Sequence, residues 1–150
     1  MIVLKNKQRA SNSVAKALYQ FTIYSYAVVY MYTASSKLWQ MDIFITGVSK
    51  IPYLGNYAQP IGWDVVQLEI LIAIGLIWPH FQRTALVGAT ILMGIFTVYL
   101  ALMMRFVPDR LCHCGGVIES MGWGTHLAFN ILWLILGIWA IRQKTNIINN

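Results

Sequence analysis

The sequence predicts an all-α fold: a polytopic membrane four-helix bundle with one further amphipathic helix lying at the interface in its first outer loop. Three observations predict it. Hydrophobic residues make up 58% of the chain and charged ones 11%, with a mean hydropathy of +0.60, whereas about a quarter of a soluble domain is charged. Four apolar segments approach or reach the length needed to cross a hydrocarbon core of about 30 Å. The charged side chains gather mostly between these segments, with basic residues biased toward alternate connections. At 150 residues, without an internal repeat or low-complexity tract, the chain reads as one membrane domain over residues 1–150.

The first segment, expected to span roughly 17–37, contains Tyr19 to Ser36 and is aromatic and partly polar. It follows a basic start, as a secretory signal would. Its apolar part is long and aromatic, however, and offers no clean small-x-small cleavage site, so it is expected to be retained. Met41, Phe44, Val48 and Ile51 then repeat at spacings of three, four and three, the pattern of a helix with one apolar face resting at the membrane surface. Pro52 should stop that helix, and Tyr53, Tyr57 and Trp63 suit the headgroup belt. A second span is expected over 61–79 and ends at Pro79. The third, 84–104, carries no charge, and at about 1.5 Å per residue it crosses the core unaided. Gly88 and Gly94 within it are expected to permit close packing, and Met103 and Met104 to pack. The fourth, 120–141, is interrupted only by His126 and Asn130.

Basic residues near helix ends stay cytoplasmic. In a four-span chain Lys5, Lys7, Arg9, Lys16, Arg83, Arg142 and Lys144 fall on one side, and Lys37, Lys50, Arg105 and Arg110 on the other. Both termini are therefore expected in the cytoplasm of a bacterial cell, with the chain in its inner membrane. No basic cluster with interleaved aromatics stands apart from the apolar segments, which argues against nucleic acid as a partner. The expected partners are the lipid bilayer and a membrane or periplasmic protein. The third loop then faces the periplasm, where disulfides persist.

That loop holds both cysteines, in Leu111-Cys112-His113-Cys114-Gly115-Gly116. On an extended backbone Cys112 and Cys114 share a side and His113 points away, a poor arrangement for one metal. A bridge between them requires a bent backbone, which Gly115 and Gly116 permit. Such a strained disulfide is easily reduced, and Arg105 and Arg110 would favour a thiolate. Three readings stand side by side: a redox-active pair, a static bridge or inert thiols, and metal ligands completed by donors elsewhere such as His126.

Trp123, His126, Asn130 and Trp133 share one helical face. A stripe of this kind faces protein or a cavity. Glu69 lies five residues past Asp64, and His126 six past Ser120, so both are expected about 8 to 9 Å inward from the outer ends of their helices. They form either a proton-handling site that also suits a quinone head, or separate features, with His126 and Asn130 as interhelical hydrogen-bond glue and Glu69 neutralised by Lys37.

These motifs resemble the MauE/DoxX-like family of small four-helix, redox-associated membrane proteins. The likeness covers most of the chain. It is carried by Cys112-His113-Cys114-Gly115-Gly116 with Trp123, His126 and Asn130, and more weakly by Ser36-Lys37-Leu38 leading to Phe44 and by Glu69. Many relatives place an acidic residue before the first cysteine and an aromatic after the second, where this chain has Leu111 and Gly115. The resemblance implies a DoxX-like bundle that takes part in periplasmic disulfide chemistry or quinone-linked oxidation.

The candidate catalytic residues are therefore Cys112, Cys114, His126 and Glu69. Trp123 and Asn130 are the candidate cofactor contacts, a membrane quinone is the candidate cofactor, and no resident metal is expected. The expected function is periplasmic thiol–disulfide exchange. The alternative is a non-catalytic accessory subunit that braces a larger membrane complex, and a third reading is a metal-handling module. A membrane-impermeant thiol reagent added to intact cells should label Cys112 and Cys114 from outside; labelling only after the inner face is exposed would reverse the topology.

Overall fold

A computed structural model describes residues 2–51, 55–106 and 122–148. Among these residues the chain forms five α-helices and one 3₁₀ turn: α1 (Ile2–Trp39), α2 (Met41–Ser49), the turn Gly55–Tyr57, α3 (Ala58–Ile77), α4 (Gln82–Phe106) and α5 (Trp123–Ile148). Three of them are long and apolar enough to cross a membrane, over Gly55–Ile77, Gln82–Arg105 and Gly124–Gln143. These bounds overlap the expected spans 61–79, 84–104 and 120–141. The first helix is 38 residues long and extends well beyond the expected 17–37, and it is more polar than the other three long helices.

Helix ends follow local chemistry. Trp78 adopts an extended backbone at the end of α3, as the residue before a proline prefers. Gln82 Nε2 donates to the Leu76 carbonyl at 3.2 Å, answering one of the carbonyls that a terminating helix leaves unpaired. The turn is short, so α3 and α4 pack as neighbours. Around the four long helices the contacts run α1 to α3, α3 to α4, α4 to α5 and α5 back to α1.

The core is built from the inward stripe of α1. Tyr19, Ile23, Tyr26, Ala27 and Tyr30 pack with Ala73 and Leu76 of α3, Leu86 and Ala89 of α4, and Ala140 of α5. A buried hydroxyl in an apolar interior needs a partner. Tyr30 Oη donates to the Ala89 carbonyl at 2.6 Å and Tyr26 Oη to the Trp133 carbonyl at 2.5 Å. The shorter hydroxyls turn to their own helix, Thr22 to Leu18 and Ser35 to Met31, both at 2.8 Å. Part of the polarity that separates α1 from its neighbours is thus satisfied within the protein. Its outward face, with Val14, Leu18, Phe21, Val28 and Met31, is exposed and apolar.

Helix α2 forms where its periodicity predicts, but its apolar face is turned to protein. Phe44 and Val48 are buried with Ala58, and Ile61 and Val65 of α3 pack against them. The reason is proximity: α2 follows α1 after a single turn residue and folds back on the start of α3.

The most crowded of the described glycines is also not one of those expected. A Cβ on Gly88 or Gly94 would meet only atoms 3.8 Å away, an ordinary contact, whereas one on Gly137 would lie 2.5 Å from Tyr26 Oη and 2.6 Å from Thr90 Oγ1. The bare backbone of α5 is what lets the tyrosine reach the Trp133 carbonyl. Gly137→Ala is expected to destabilise the fold by about 1–3 kcal/mol, the usual cost of overpacking, while Gly94→Ala stays near wild type; denaturant midpoints of the two variants in the same detergent measure the contrast.

Candidate functional site

The polar centre of the molecule is an ion pair between Lys37 of α1 and Glu69 of α3. Lys37 is 3% exposed and Glu69 0%. Moving each charge out of water costs several kcal/mol even after relaxation, so close contact and extra partners are required. The contact is direct: Lys37 Nζ donates to Glu69 Oε1. Thr33 Oγ1 donates to the same oxygen at 3.2 Å. The ammonium lies 4.5 Å from the Phe96 ring centroid and 5.4 Å from that of Phe44, both within reach of a cation–π attraction. Glu69 Oε2, by contrast, is buried without a hydrogen-bond partner. An acceptor left in this state costs about 1–3 kcal/mol or more when charged.

This bare oxygen belongs to a side chain that lines a cavity of about 280 Å³. The cavity is bounded by Tyr30, Thr33 and Lys37 of α1, Phe44 and Val48 of α2, Val65 and Glu69 of α3, Met93, Phe96 and Tyr99 of α4, and His126 and Asn130 of α5. Every described helix contributes. The walls are mostly apolar, and the polar groups are one ammonium, one carboxylate, one imidazole and one carboxamide, with the hydroxyls of Thr33 and the two tyrosines.

Of the residues singled out in the sequence, Glu69, His126 and Asn130 come together here. His126 is 9% exposed and Asn130 5%. Glu69 and His126 face the same cavity without a direct hydrogen bond to each other, and the immediate partner of Glu69 is Lys37. Glu69 is thus paired with Lys37, as one of the two alternatives had it, and it lines the same cavity as His126. Trp133 continues the α5 stripe inward, edge-on to Tyr26 with ring centroids 5.1 Å apart. Cys112 and Cys114 lie outside the described residues, as does the side chain of Trp123. The helices on either side of the cysteine segment, α4 and α5, are both cavity walls. Among the described residues no three His, Cys, Asp or Glu side chains gather as a metal site.

Sequence reasoning missed Thr33, Phe96 and the place of Phe44 on the cavity wall beside the ammonium. A signal existed for the first: Tyr26, Tyr30, Thr33 and Lys37 recur at four, three and four, one stripe of one helix. Phe96 gave none, because an aromatic on an apolar helix reads as packing.

The donor set fits the head of a quinone. Lys37 and Asn130 would offer N–H groups to its carbonyl oxygens, and Glu69 Oε2 would accept from a hydroxyl of the reduced form. Removing one member of the ion pair should be far worse than removing both, because a lone buried charge is left behind. Lys37→Met is expected to cost about 3–5 kcal/mol, and Lys37→Met combined with Glu69→Leu much less; a double-mutant cycle of unfolding midpoints tests this.

A comparison with curated proteins and one with solved structures each give no match. Residues 15–143 match the family model of the methylamine utilisation protein MauE, a stretch that includes the ion pair, the cavity and the cysteine segment, and the chain belongs to the MauE family.

Proposed function

We propose that the chain is an inner-membrane accessory protein of methylamine utilisation whose chemistry is thiol–disulfide exchange at Cys112 and Cys114, linked to a quinone in the cavity. In this reading α1 is a fourth crossing and residues 1–150 form one membrane domain. The apolar outer face of α1 and the internal pairing of its hydroxyls support that count. The distribution of basic residues supports cytoplasmic termini and a periplasmic cysteine segment.

The observation that carries the reading is the unpartnered Glu69 Oε2 in a chamber shared with His126 and Asn130, between the two helices that the cysteine segment joins. A quinone, when bound, takes up two electrons and two protons and leaves as the hydroquinone. The chain supplies both from its own thiols: as the Cys112–Cys114 bond forms, two sulfurs together lose two electrons and two protons. His126 and Glu69 Oε2, both on the cavity wall, hand those protons inward. Lys37 and Asn130 hold the head by hydrogen bonds, and Phe44 and Val48 keep bulk water off it. The bridged pair is then reduced by the dithiol of a periplasmic protein through a mixed disulfide, which returns two thiols to the chain and leaves the partner bridged.

Cys112→Ser with Cys114→Ser should abolish quinone-dependent thiol oxidation in isolated membranes, and Cys114→Ser alone should trap a mixed disulfide with the partner. Intact thiol oxidation in the double variant sinks the mechanism. Undiminished growth on methylamine of cells carrying it would instead assign the chain a bracing role in a larger assembly.

A further inference from the structure

A second apolar depression, of about 550 Å³, runs along the seam between α3 and α4. Leu68, Leu71 and Ile74 form one wall, and Gly88, Ile91 and Ile95 the other. Small residues keep the seam shallow-sided: Gly75 faces Ala85, and the nearest side-chain atom to a Cβ on Gly88 would be 3.8 Å away, on Ile72. Leu68, Leu71, Ile74, Ile91 and Ile95 are all exposed, so with α3 and α4 in a bilayer they meet acyl chains. Ile95 borders both this groove and the cavity that holds Lys37 and Glu69. Ile95 is therefore the wall that the groove and the polar chamber have in common.

We infer that the α3–α4 groove is the tail subsite of the cavity's ligand, and that the ligand is an amphiphile with a compact hydroxyl-bearing head and a long apolar tail that enters sideways from the bilayer past Ile95. This rests on the reading of the cavity as a ligand site. Two features select this occupant. Glu69 Oε2 is a fully buried acceptor without a donor, so it is matched by a head that brings an O–H, as a hydroquinone does. Phe44 and Val48 of α2 are buried on the cavity wall, and a Cβ on Gly47 of the same helix would be 3.5 Å from Tyr99 Oη of α4, so α2 is packed closely over this part of the chamber. Beyond Ile95 the groove is lined by apolar side chains, which suits a hydrocarbon tail and not a polar metabolite.

Binding to the full-length chain in lipid nanodiscs tests the assignment, with a decyl-tailed benzoquinol and its tailless analogue as probes. Ile91→Trp fills the groove at an exposed position, Ile95→Trp narrows the junction, and Leu132→Trp on the exposed face of α5 controls for the substitution itself. In wild type the tailed quinol should bind at least about tenfold more tightly than the tailless one, beyond their difference in partitioning into empty nanodiscs, since about two buried methylenes suffice for that factor. Ile91→Trp should remove most of this advantage and leave the tailless quinol unaffected; Ile95→Trp should slow binding of the tailed one, and Leu132→Trp should change neither. Equal affinities for the two probes in wild type, or an Ile91→Trp variant indistinguishable from it, would overturn the tail subsite. If cysteine-dependent quinone reduction survives that result, the proposed function stands and only the groove is lost. If wild type binds neither quinol, both fall.

Discussion

A salt bridge with almost no access to water organises this molecule. Neither Lys37 nor Glu69 is tolerable alone in an apolar interior, so α1 and α3 are obliged to meet at one register. Once that register is set, Thr33 reaches the carboxylate, and Phe44 and Phe96 come within range of the ammonium. Farther along α1, Tyr26 and Tyr30 fasten the same helix to α5 and α4 through backbone carbonyls. A helix too polar to be an obvious membrane span thereby becomes the one that touches every part of the core.

The arrangement was legible in the sequence to differing depths. Long apolar runs report helices well because the bilayer leaves the backbone few alternatives, and α3, α4 and α5 fall where composition puts them. The stripe from His126 to Trp133 was also readable, since helical spacing alone brings its members to one face. The inward face of α2 was less so: periodicity reveals that a helix has an apolar side, but not what that side will meet. Gly137 was illegible for the same reason. Its importance comes from a tyrosine 111 positions earlier in the chain, and nothing local distinguishes it from Gly88 or Gly94.

The MauE kinship and the chamber bear on different parts of the problem. The family match spans residues 15–143 and ties the chain to methylamine utilisation proteins, while the chamber brings Lys37, Glu69 and His126 to one place inside an otherwise apolar bundle. Positioned on α1, α3 and α5, those groups depend on mutual packing of the helices rather than on any single loop. Groups placed in this way have little access to water, which strengthens each hydrogen bond made to them.

The apolar lining around Glu69 has a consequence for selectivity. In a low-dielectric setting an unmatched polar group costs far more than it would in water. Any group set against Glu69 Oε2 without an O–H or N–H to offer would leave that oxygen bare, so discrimination at this position rests on donor capacity more than on shape.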